Sequence, residues 1–563
     1  MKKRRKPWLF VTATVLAILN LLCYFAIRSM WSGIIRETSE SMPYILLAVL
    51  VATTLGAVLF LINKRYPLLI TIWTLLIDIL FLGLNGYIIS ETLDAYYYFI
   101  REFLYGAAFF GVIALIIILW IQIPKLKFLQ KRWVPSLLLI LLFAIGVFWQ
   151  YDLSLYNEIG TPAVYAVGNK YQIVFTTHAK GTAWVEINGK EYNETYAGYR
   201  ESENKIHKIS VSMDILDEAG SYTIHTRSMM LRGPYCALQG KQLSETYNWK
   251  GVNSEDGLNY YVFSDTHNTT KTPYEAATYF GDDLDFLILC GDHASWVDRE
   301  ADLTQALRLA GRITKGEIPV VYARGNHETK GVRANELYKY VGADGEKFYY
   351  TFRLKNVWGV VLDIGENHND NFAEYYGAAK FRNYRKNQTK FLDTVLSNAE
   401  KEFNAPGVDY RIAVCHVPIT VKYVIDHADG TKDDWLERLN EMKITMCYSG
   451  HVHELWYIDE TILAGKTLIQ TEKYSGKAHK NDMRIMSDTD FSSILVSRRS
   501  DGQLLKYKNK ILDTAFWGLA VTSDGESTTM KYTNHNHDVL QNIISPWYTD
   551  TEYGSEITIK NVK

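Results

Sequence analysis

The sequence predicts three structural parts in chain order: a multi-pass α-helical membrane anchor, a small all-β sandwich, and an α/β domain in which a β-sandwich is flanked by helices. Three observations support this fold class. Long apolar runs fill residues 1–150, short β-branched runs fill residues 160–250, and apolar strands alternate with amphipathic helices from about residue 258. The chain of 563 residues is long enough for several domains.

The anchor is predicted from apolar stretches long enough to cross a hydrocarbon core as helices. The first stretch follows a basic tail and lacks a small-residue cleavage site, which indicates a retained signal anchor. The third contains Asp78, either a functional intramembrane carboxylate or a protonated or hydrogen-bonded one. We therefore expect a five-helix transmembrane anchor over residues 1–150, with spans near 8–27, 43–62, 67–89, 103–123 and 134–150.

The orientation of the anchor follows from the basic residues in its short connections. The tail, the second connection and the fourth carry eleven Lys and Arg residues, against three on the opposite side. Since basic connections stay in the cytoplasm, we expect a cell-membrane protein with a cytoplasmic N-terminus and an extracytoplasmic catalytic domain. The lipid bilayer is then a partner.

Charge divides the chain in the same place. Residues 1–150 carry a net charge of +8, and residues 151–563 carry −10. The apolar part, residues 1–150, excludes a purely cytosolic enzyme. The acidic part, residues 151–563, excludes general nucleic-acid binding, which needs a basic surface.

Residues 155–255 read as an all-β module of the fibronectin or immunoglobulin kind. Short runs with β-branched or alternating residues are separated by Gly and Asn-Gly turns, for example at 171–177 and 182–188. No catalytic pattern occurs in them. We expect a packing module or spacer that precedes the catalytic domain.

The α/β domain is predicted over residues 256–500, because buried strands there alternate with helices that carry one apolar face. A β-rich extension over residues 501–563 is expected to pack on it. Polar motifs stand at or just past the ends of the apolar strands. In order they are Asp265-Thr266-His267, Gly291-Asp292, Gly325-Asn326-His327-Glu328, His416, and Gly450-His451-Val452-His453.

These motifs gather ligand chemistry at one edge of a sheet. Loops after the carboxyl ends of strands are where α/β sheets bind ligands. Carboxylate, imidazole and amide oxygen suit Mn, Fe or Zn, and seven such side chains are enough for two ions. The residues themselves therefore indicate a two-metal site whose metal identity the sequence does not fix.

The five motifs in this order resemble the calcineurin-like metallophosphoesterase family, over residues 258–500. The resemblance implies hydrolysis of phosphate esters by a dinuclear centre with a bridging hydroxide. Asp292 would bridge both ions. The remaining ligands would be Asp265, His267 and His453 at the first metal, and Asn326, His416 and His451 at the second.

Four further residues have weaker assignments. His327 would protonate the leaving oxygen or stabilise its charge, as a catalytic residue beside Asp292. Glu328 would orient a ligand or His327. The substrate candidates are Arg324, whose Arg-Gly-Asn-His-Glu context is shared with protein Ser/Thr phosphatases, and His293.

The domain order also resembles that of purple acid phosphatases, but the site departs from theirs. Those enzymes have Gly where His267 stands, and a ligand Tyr where this chain has Ser295. We therefore expect a site without the tyrosinate-to-iron colour.

Several functions remain open at this stage. The same centre would serve a phosphomonoesterase, a phosphodiesterase or a lipid-pyrophosphate hydrolase, with a phosphorylated small molecule, lipid or cell-envelope compound as substrate. A non-catalytic membrane sensor is the alternative of another class, but every ligand position of the motif is filled.

Overall fold

The computed structural model describes the chain from residue 157 to residue 561. Within this stretch, the placement of some segments is left out of the description. These segments are 197–199, 202–203, 233–236, 253–256, 373–374, 376, 422–430, 460–466, 469–482, 485–488, 497–504, 508–509, 514 and 544–551.

The first third of the described chain is mainly β-structure. One helix, α1 (Met213–Ala219), stands between two of its strands and ends at Gly220, which has a left-handed backbone. The strands are β1 (Ala163–Val167), β2 (Lys170–Ile187), β3 (Lys190–Asn193), β4 (Thr195–Tyr196), β5 (Arg200–Glu201), β6 (Asn204–Ser212), β7 (Ser221–Arg232) and β8 (Ala237–Asn248).

The middle of the chain alternates strands with helices, as its apolar pattern predicts. The helices are α2 (Lys271–Ala277), α3 (Glu300–Leu303), α4 (Gln305–Thr314), α5 (Phe381–Ser397) and α6 (Thr431–Glu441). The strands are β9 (Leu258–Phe263), β10 (Phe286–Cys290), β11 (Pro319–Ala323), β12 (Tyr350–Leu354), β13 (Val357–Leu362), β14 (Tyr410–Cys415) and β15 (Met446–Ser449).

Short strands make up the rest of the described chain. They are β16 (Tyr457–Ile458), β17 (Thr467–Leu468), β18 (Met483–Arg484), β19 (Ser492–Leu495), β20 (Leu505–Tyr507), β21 (Lys510–Asp513), β22 (Trp517–Ser523), β23 (Ser527–Asn534) and β24 (Ile557–Lys560).

The strands of the predicted all-β module over residues 155–255 are joined to the catalytic sheet. In the described part of the chain, the order β24-β23-β22-β9-β10-β11-β1-β2-β7-β8 forms one continuous sheet, and β3 and β6 pair with β2. The join is parallel pairing of β1 with β11, where Val164 lies opposite Pro319. A parallel pair between residues 155 positions apart leaves no local sequence pattern, so the sequence of these strands resembles that of an independent module.

A second sheet has the order β12-β13-β14-β15-β19-β16. Its central strands β13, β14, β15 and β19 are parallel. Alternate residues of β14 point to different cores: Ile412 and Val414 join the core shared with the first sheet, whereas Ala413 and Cys415 join a core with the helices. The second sheet is therefore buried on both faces.

Helices cover the outer faces of both sheets. Leu392 and Val395 of α5, with Trp435 and Leu439 of α6, pack against the second sheet. On the first sheet, α4 contacts β1, β10 and β11, and α2 contacts β9 and β22. These layers hold the carboxyl ends of two sets of parallel strands in fixed positions.

The multi-pass helical anchor in the predicted fold class is not supported by the structure. No helix among the described residues is long and apolar enough to cross a membrane. The five predicted spans and Asp78 lie in residues 1–150, outside the described residues.

Three buried tyrosine hydroxyls join the two sheets below the strand ends. The hydroxyl of Tyr260 on β9 lies 3.1 Å from that of Tyr410 on β14 and 2.6 Å from that of Tyr448 on β15. The hydroxyls of Tyr410 and Tyr448 are 3.2 Å apart. Burial raises the pKa of all three, so they stay neutral and serve as hydrogen-bonding groups.

Replacing Tyr260 with Phe removes one corner of this triangle. We expect Tyr260→Phe to lower the free energy of unfolding by about 1–2 kcal/mol, the loss typical of a buried hydrogen bond. Tyr279→Phe is the matched control, because within the described residues the Tyr279 hydroxyl makes no hydrogen bond. Denaturant unfolding of both variants checks this. Equal stability of the two variants would contradict the role of the triangle.

Candidate metal centre

The predicted ligands converge because each follows a strand that ends at the same edge. Asp265 follows β9 and Asp292 follows β10, two adjacent parallel strands of the first sheet. His416 follows β14, and His451 follows the adjacent parallel strand β15 of the second sheet. Two sheets that pack face to face therefore bring five loops together.

The backbone at these strand ends is strained. Positive φ angles occur at Asp265 (56°), His267 (42°), Asp292 (55°), His451 (70°) and His453 (58°). Residues other than glycine rarely adopt this left-handed conformation, which costs free energy at each position. Such strain concentrated in five ligand positions indicates that the fold is organised around their side chains.

The first ligand cluster contains Asp265, His267 and His453, whose candidate ligand atoms all lie within 4.8 Å of one another. Nε2 of His453 is 3.1 Å from Oδ1 of Asp265 and 3.2 Å from Nε2 of His267. Two imidazole nitrogens and a carboxylate oxygen facing one point are a donor set that suits a transition metal. This cluster is the predicted first metal site.

The second cluster contains Asp292, His416 and His451, again with ligand atoms within 4.8 Å. Oδ1 of Asn326 adds a fourth donor, because it lies 2.9 Å from Nδ1 of His451. Nδ1 of His416 donates to the carbonyl oxygen of Cys290 at 2.7 Å, which turns Nε2 toward Oδ2 of Asp292, 3.0 Å away. In this orientation the buried Nε2 is the nitrogen that would bind the second metal.

Asp292 lies between the two clusters. Its Oδ2 is 3.0 Å from Nε2 of His416 and 4.0 Å from Nε2 of His267. Its Oδ1 accepts the backbone N–H of His327 at 2.9 Å, which fixes the plane of the carboxylate. The structure thus brings all seven predicted ligands together, with Asp292 between the two clusters.

The buried carboxylates and imidazoles perturb one another strongly. Burial would raise the pKa of Asp265 and of Asp292, but His453 and His416 outweigh it and hold both pKa values below the ordinary range. Burial, with help from His416, lowers the pKa of His451 to about 3. Ionised carboxylates beside a neutral His451 are the protonation states in which these side chains bind metal.

His327 is held beside the clusters but is more open than they are. Its Nδ1 donates to the carbonyl oxygen of Ser295 at 2.7 Å, and its Nε2 lies 3.9 Å from Oδ2 of Asp292. Its side chain is 31% exposed, whereas those of His267 and His416 are 1% exposed. His267, Asp292 and His327 also form a third group within ligand distance, so geometry alone permits a metal-binding role for His327.

Glu328 ties the second and third motif loops together. Its two carboxylate oxygens accept the backbone N–H groups of Asp292, His293 and Ala294 at 2.5–3.1 Å, and that of Gly325 at 2.9 Å. Burial and the charge of Asp292 raise the pKa of Glu328 to about 7. A Cβ atom at Gly325 would collide with Asp292, so glycine permits this close approach. The predicted orienting role of Glu328 thus acts through the backbone.

The two predicted substrate-binding residues lie in other surroundings. The guanidinium of Arg324 pairs with Oδ2 of Asp363 at 2.6 Å and stacks over the ring of Phe348. The imidazole of His293 is fully buried, and burial lowers its pKa to about 3. These positions favour a bracing role for Arg324 and a packing role for His293.

Ser295 occupies the position where purple acid phosphatases have their ligand tyrosine. It is fully buried, and its hydroxyl accepts a hydrogen bond from the Asn268 side-chain amide at 3.1 Å. The expected lack of a visible tyrosinate band stays a prediction.

Two residues of the site were missed from the sequence. Glu366 accepts a hydrogen bond from the side-chain amide of Asn326 at 2.9 Å, and Asn367 lies 3.3 Å from Nε2 of His451. Both stand in the polar loop after β13. The one available signal was that this loop follows an apolar strand, as the motif loops do.

Removing the Glu328 carboxylate should loosen two ligand loops at once. In Glu328→Ala, four backbone N–H groups lose their acceptor, and an unsatisfied buried donor costs about 1–3 kcal/mol. We expect unfolding at a lower denaturant concentration together with weaker metal binding, measured by denaturation and by metal analysis. Normal stability and metal content would show that the carboxylate does not hold the loops.

Comparison with known proteins adds a domain assignment. No curated protein sequence matches the chain significantly. Solved structures that match include the purple acid phosphatase PPD1 from yellow lupin (Lupinus luteus) seeds, with 13% identity, a TM-score of 0.44, and coverage of 72% of this chain and 74% of that one. A dimetal phosphatase from Danio rerio matches with 12% identity, a TM-score of 0.32, and coverage of 55% and 100%.

The structure of PhoD matches with 11% identity, a TM-score of 0.36, and coverage of 73% of this chain and 90% of that one. TM-scores below 0.5 carry no argument about fold or function. The family model of calcineurin-like phosphoesterases, however, matches residues 258–455, the stretch that supplies all seven ligands. This chain therefore carries a calcineurin-like phosphoesterase domain over residues 258–455 and is a metal-dependent phosphoric ester hydrolase.

Proposed function

We propose that the protein hydrolyses phosphate esters at a dinuclear metal centre held by the seven converging ligands. The observation that carries this proposal is that two ligand clusters share one carboxylate, Asp292, which lies within 4.0 Å of an imidazole from each. A shared carboxylate keeps two sites close enough to act on one phosphoryl group.

The donor set fits transition-metal ions such as Mn, Fe or Zn. Bound as a pair, such ions activate water and neutralise charge on a phosphoryl group. Asp265, His267 and His453 would hold the first ion, and Asn326, His416 and His451 the second. The side chains of Asp265 and Asp292 are at most 1% exposed, so their charges act in a medium that screens them weakly.

His327 supplies the proton for the leaving oxygen. Its Nδ1 is engaged by the carbonyl oxygen of Ser295, which directs Nε2 to the open side of the site. A side chain 31% exposed is accessible to a substrate oxygen. Positioned proton donors contribute about 10²–10⁴-fold to rate.

The test separates metal binding from proton donation. Asp292→Ala should lose metal and activity together. His327→Ala should keep the metal and lose activity on an alkyl phosphate by about 10²-fold or more. The loss should be small on p-nitrophenyl phosphate, because p-nitrophenolate leaves without a proton. Metal analysis and steady-state kinetics give both readouts.

Two results would change the account. Loss of metal in His327→Ala would show that His327 is a metal ligand, a role that its proximity to His267 and Asp292 permits. Equal impairment on both substrates would remove the proton-donor role but leave the seven ligands in place.

A second observation favours a substrate with an apolar portion. Among the described residues, the exposed large hydrophobic side chains are Val332 (83%) and Phe372 (36%). Val332 follows the His327 loop, Phe372 follows the Glu366 loop, and the Lys330–Glu366 ion pair joins these loops at 3.1 Å. We propose a phosphorylated lipid or similar cell-envelope compound as the substrate class.

This substrate class predicts a chain-length effect. Replacing Val332 and Phe372 together with Ser should reduce kcat/KM for octyl phosphate about 30-fold, because contact with each apolar side chain is worth roughly 1 kcal/mol. Activity on methyl phosphate should change little. An equal effect on both alkyl phosphates would contradict the apolar contact.

A further inference from the structure

The strand β13 runs parallel to β14, and the loop after it follows the same edge as the His416 loop. This loop supplies none of the seven ligands. Two consecutive residues in it, Glu366 and Asn367, nevertheless contact ligands, and both ligands belong to the second cluster. The contacts are therefore selective for one of the two metal sites.

Glu366 sets the orientation of the Asn326 side chain. Oε1 of Glu366 accepts a hydrogen bond from Nδ2 of Asn326 at 2.9 Å, so Oδ1 of Asn326 must face His451. Oε2 of Glu366 pairs with Nζ of Lys330 at 3.1 Å, and Glu366 is 2% exposed. An amide turned the other way would present its NH₂ group to a cation, whereas this hydrogen bond holds the oxygen of Asn326 toward the second cluster.

Asn367 sets the state of the His451 ring. Its side-chain amide lies 3.3 Å from Nε2 of His451, the nitrogen that faces away from Asn326. A metal-binding Nδ1 requires the proton on Nε2, which the amide accepts when its oxygen is turned toward the ring. Nδ1 is thereby the nitrogen aimed at the second cluster.

The loop is braced from below. The Asp363 side chain accepts the backbone N–H of Gly365 at 2.8 Å, and Arg385 donates to the carbonyl oxygen of Ile364 at 3.2 Å. Gly365 has φ +76° and packs so closely on Phe381 that a Cβ atom would collide with the ring. Asp363 is also the partner of Arg324, two residues before Asn326. The brace therefore fixes both partners of the Glu366–Asn326 hydrogen bond.

We propose that Glu366 and Asn367 are positioning residues for the second metal site, and that they set its affinity without affecting the first. The proposal rests on the proposed dinuclear centre. Partners that orient metal ligands typically contribute 10–100-fold to metal affinity.

The experiment is a titration of the metal-free full-length chain with Mn²⁺, followed by calorimetry and by electron paramagnetic resonance. Wild type should bind two ions and show a spin-coupled signal. Glu366→Ala and Asn367→Ala should each weaken only one of the two binding steps, by about 10–100-fold. In these two variants, when one equivalent of Mn²⁺ is added beyond the first, the spin-coupled signal should give way to the signal of isolated Mn²⁺.

Two further variants make the test specific. Glu366→Gln keeps an acceptor oxygen for Asn326 and should recover most of the lost affinity. Glu346→Ala removes an exposed carboxylate elsewhere on the chain and should bind as wild type does. Unfolding of the metal-free variants shows whether each is folded.

The outcomes distinguish this proposal from the proposed function. Wild type that binds fewer than two ions would overturn the dinuclear centre and this inference with it. Two tight steps in wild type and in both alanine variants would overturn only the positioning role. Equal weakening of both steps would show that the loop supports the whole fold instead of one site.

Discussion

The Asp292 carboxylate is the group on which the rest of the site depends. It is buried, stands 3.0 Å from His416, and has His267 and His327 within 4.0 Å. Burying an ionised carboxylate is costly unless partners compensate for it. Here the partners are imidazoles. A bound metal would take over from them as the positive charge that compensates the carboxylate. The pKa values of Asp265 and Asp292, lowered despite burial, reflect the same requirement.

The fold meets this requirement by joining two sheets at one edge. β9, β10 and β11 deliver three motifs, and β14 and β15 deliver the other two. The left-handed backbone at five ligands has a free-energy cost that packing below must offset. The tyrosine triangle between the sheets and the Glu328 contacts to two loops provide part of that offset. The paired strands are rigid, and they hold the strained loops at their ends in one conformation. The ligand side chains on these loops are therefore preorganised for metal binding.

Much of the site could be predicted because each ligand directly follows an apolar strand. The metal-binding roles of Asp265 after β9 and of His416 after β14 could be predicted from two features alone: where the apolar strands end and which side chains bind metals. The union of the first β-rich segment with the catalytic sheet could not be predicted, because β1 pairs with a strand more than 150 residues away. Glu366 was missed for a related reason: nothing in a polar loop reveals that one carboxylate will meet Asn326. The anchor predicted in residues 1–150 lies outside the described residues and gains no support from the rest of the chain.

The most direct test is anomalous X-ray diffraction from crystals of the full-length protein loaded with Mn²⁺. We expect two anomalous peaks, one among Asp265, His267 and His453, the other among Asn326, His416 and His451. Asp292 should contact both. A single peak, or a peak held by His327 together with His267 and Asp292, would contradict the shared-carboxylate centre.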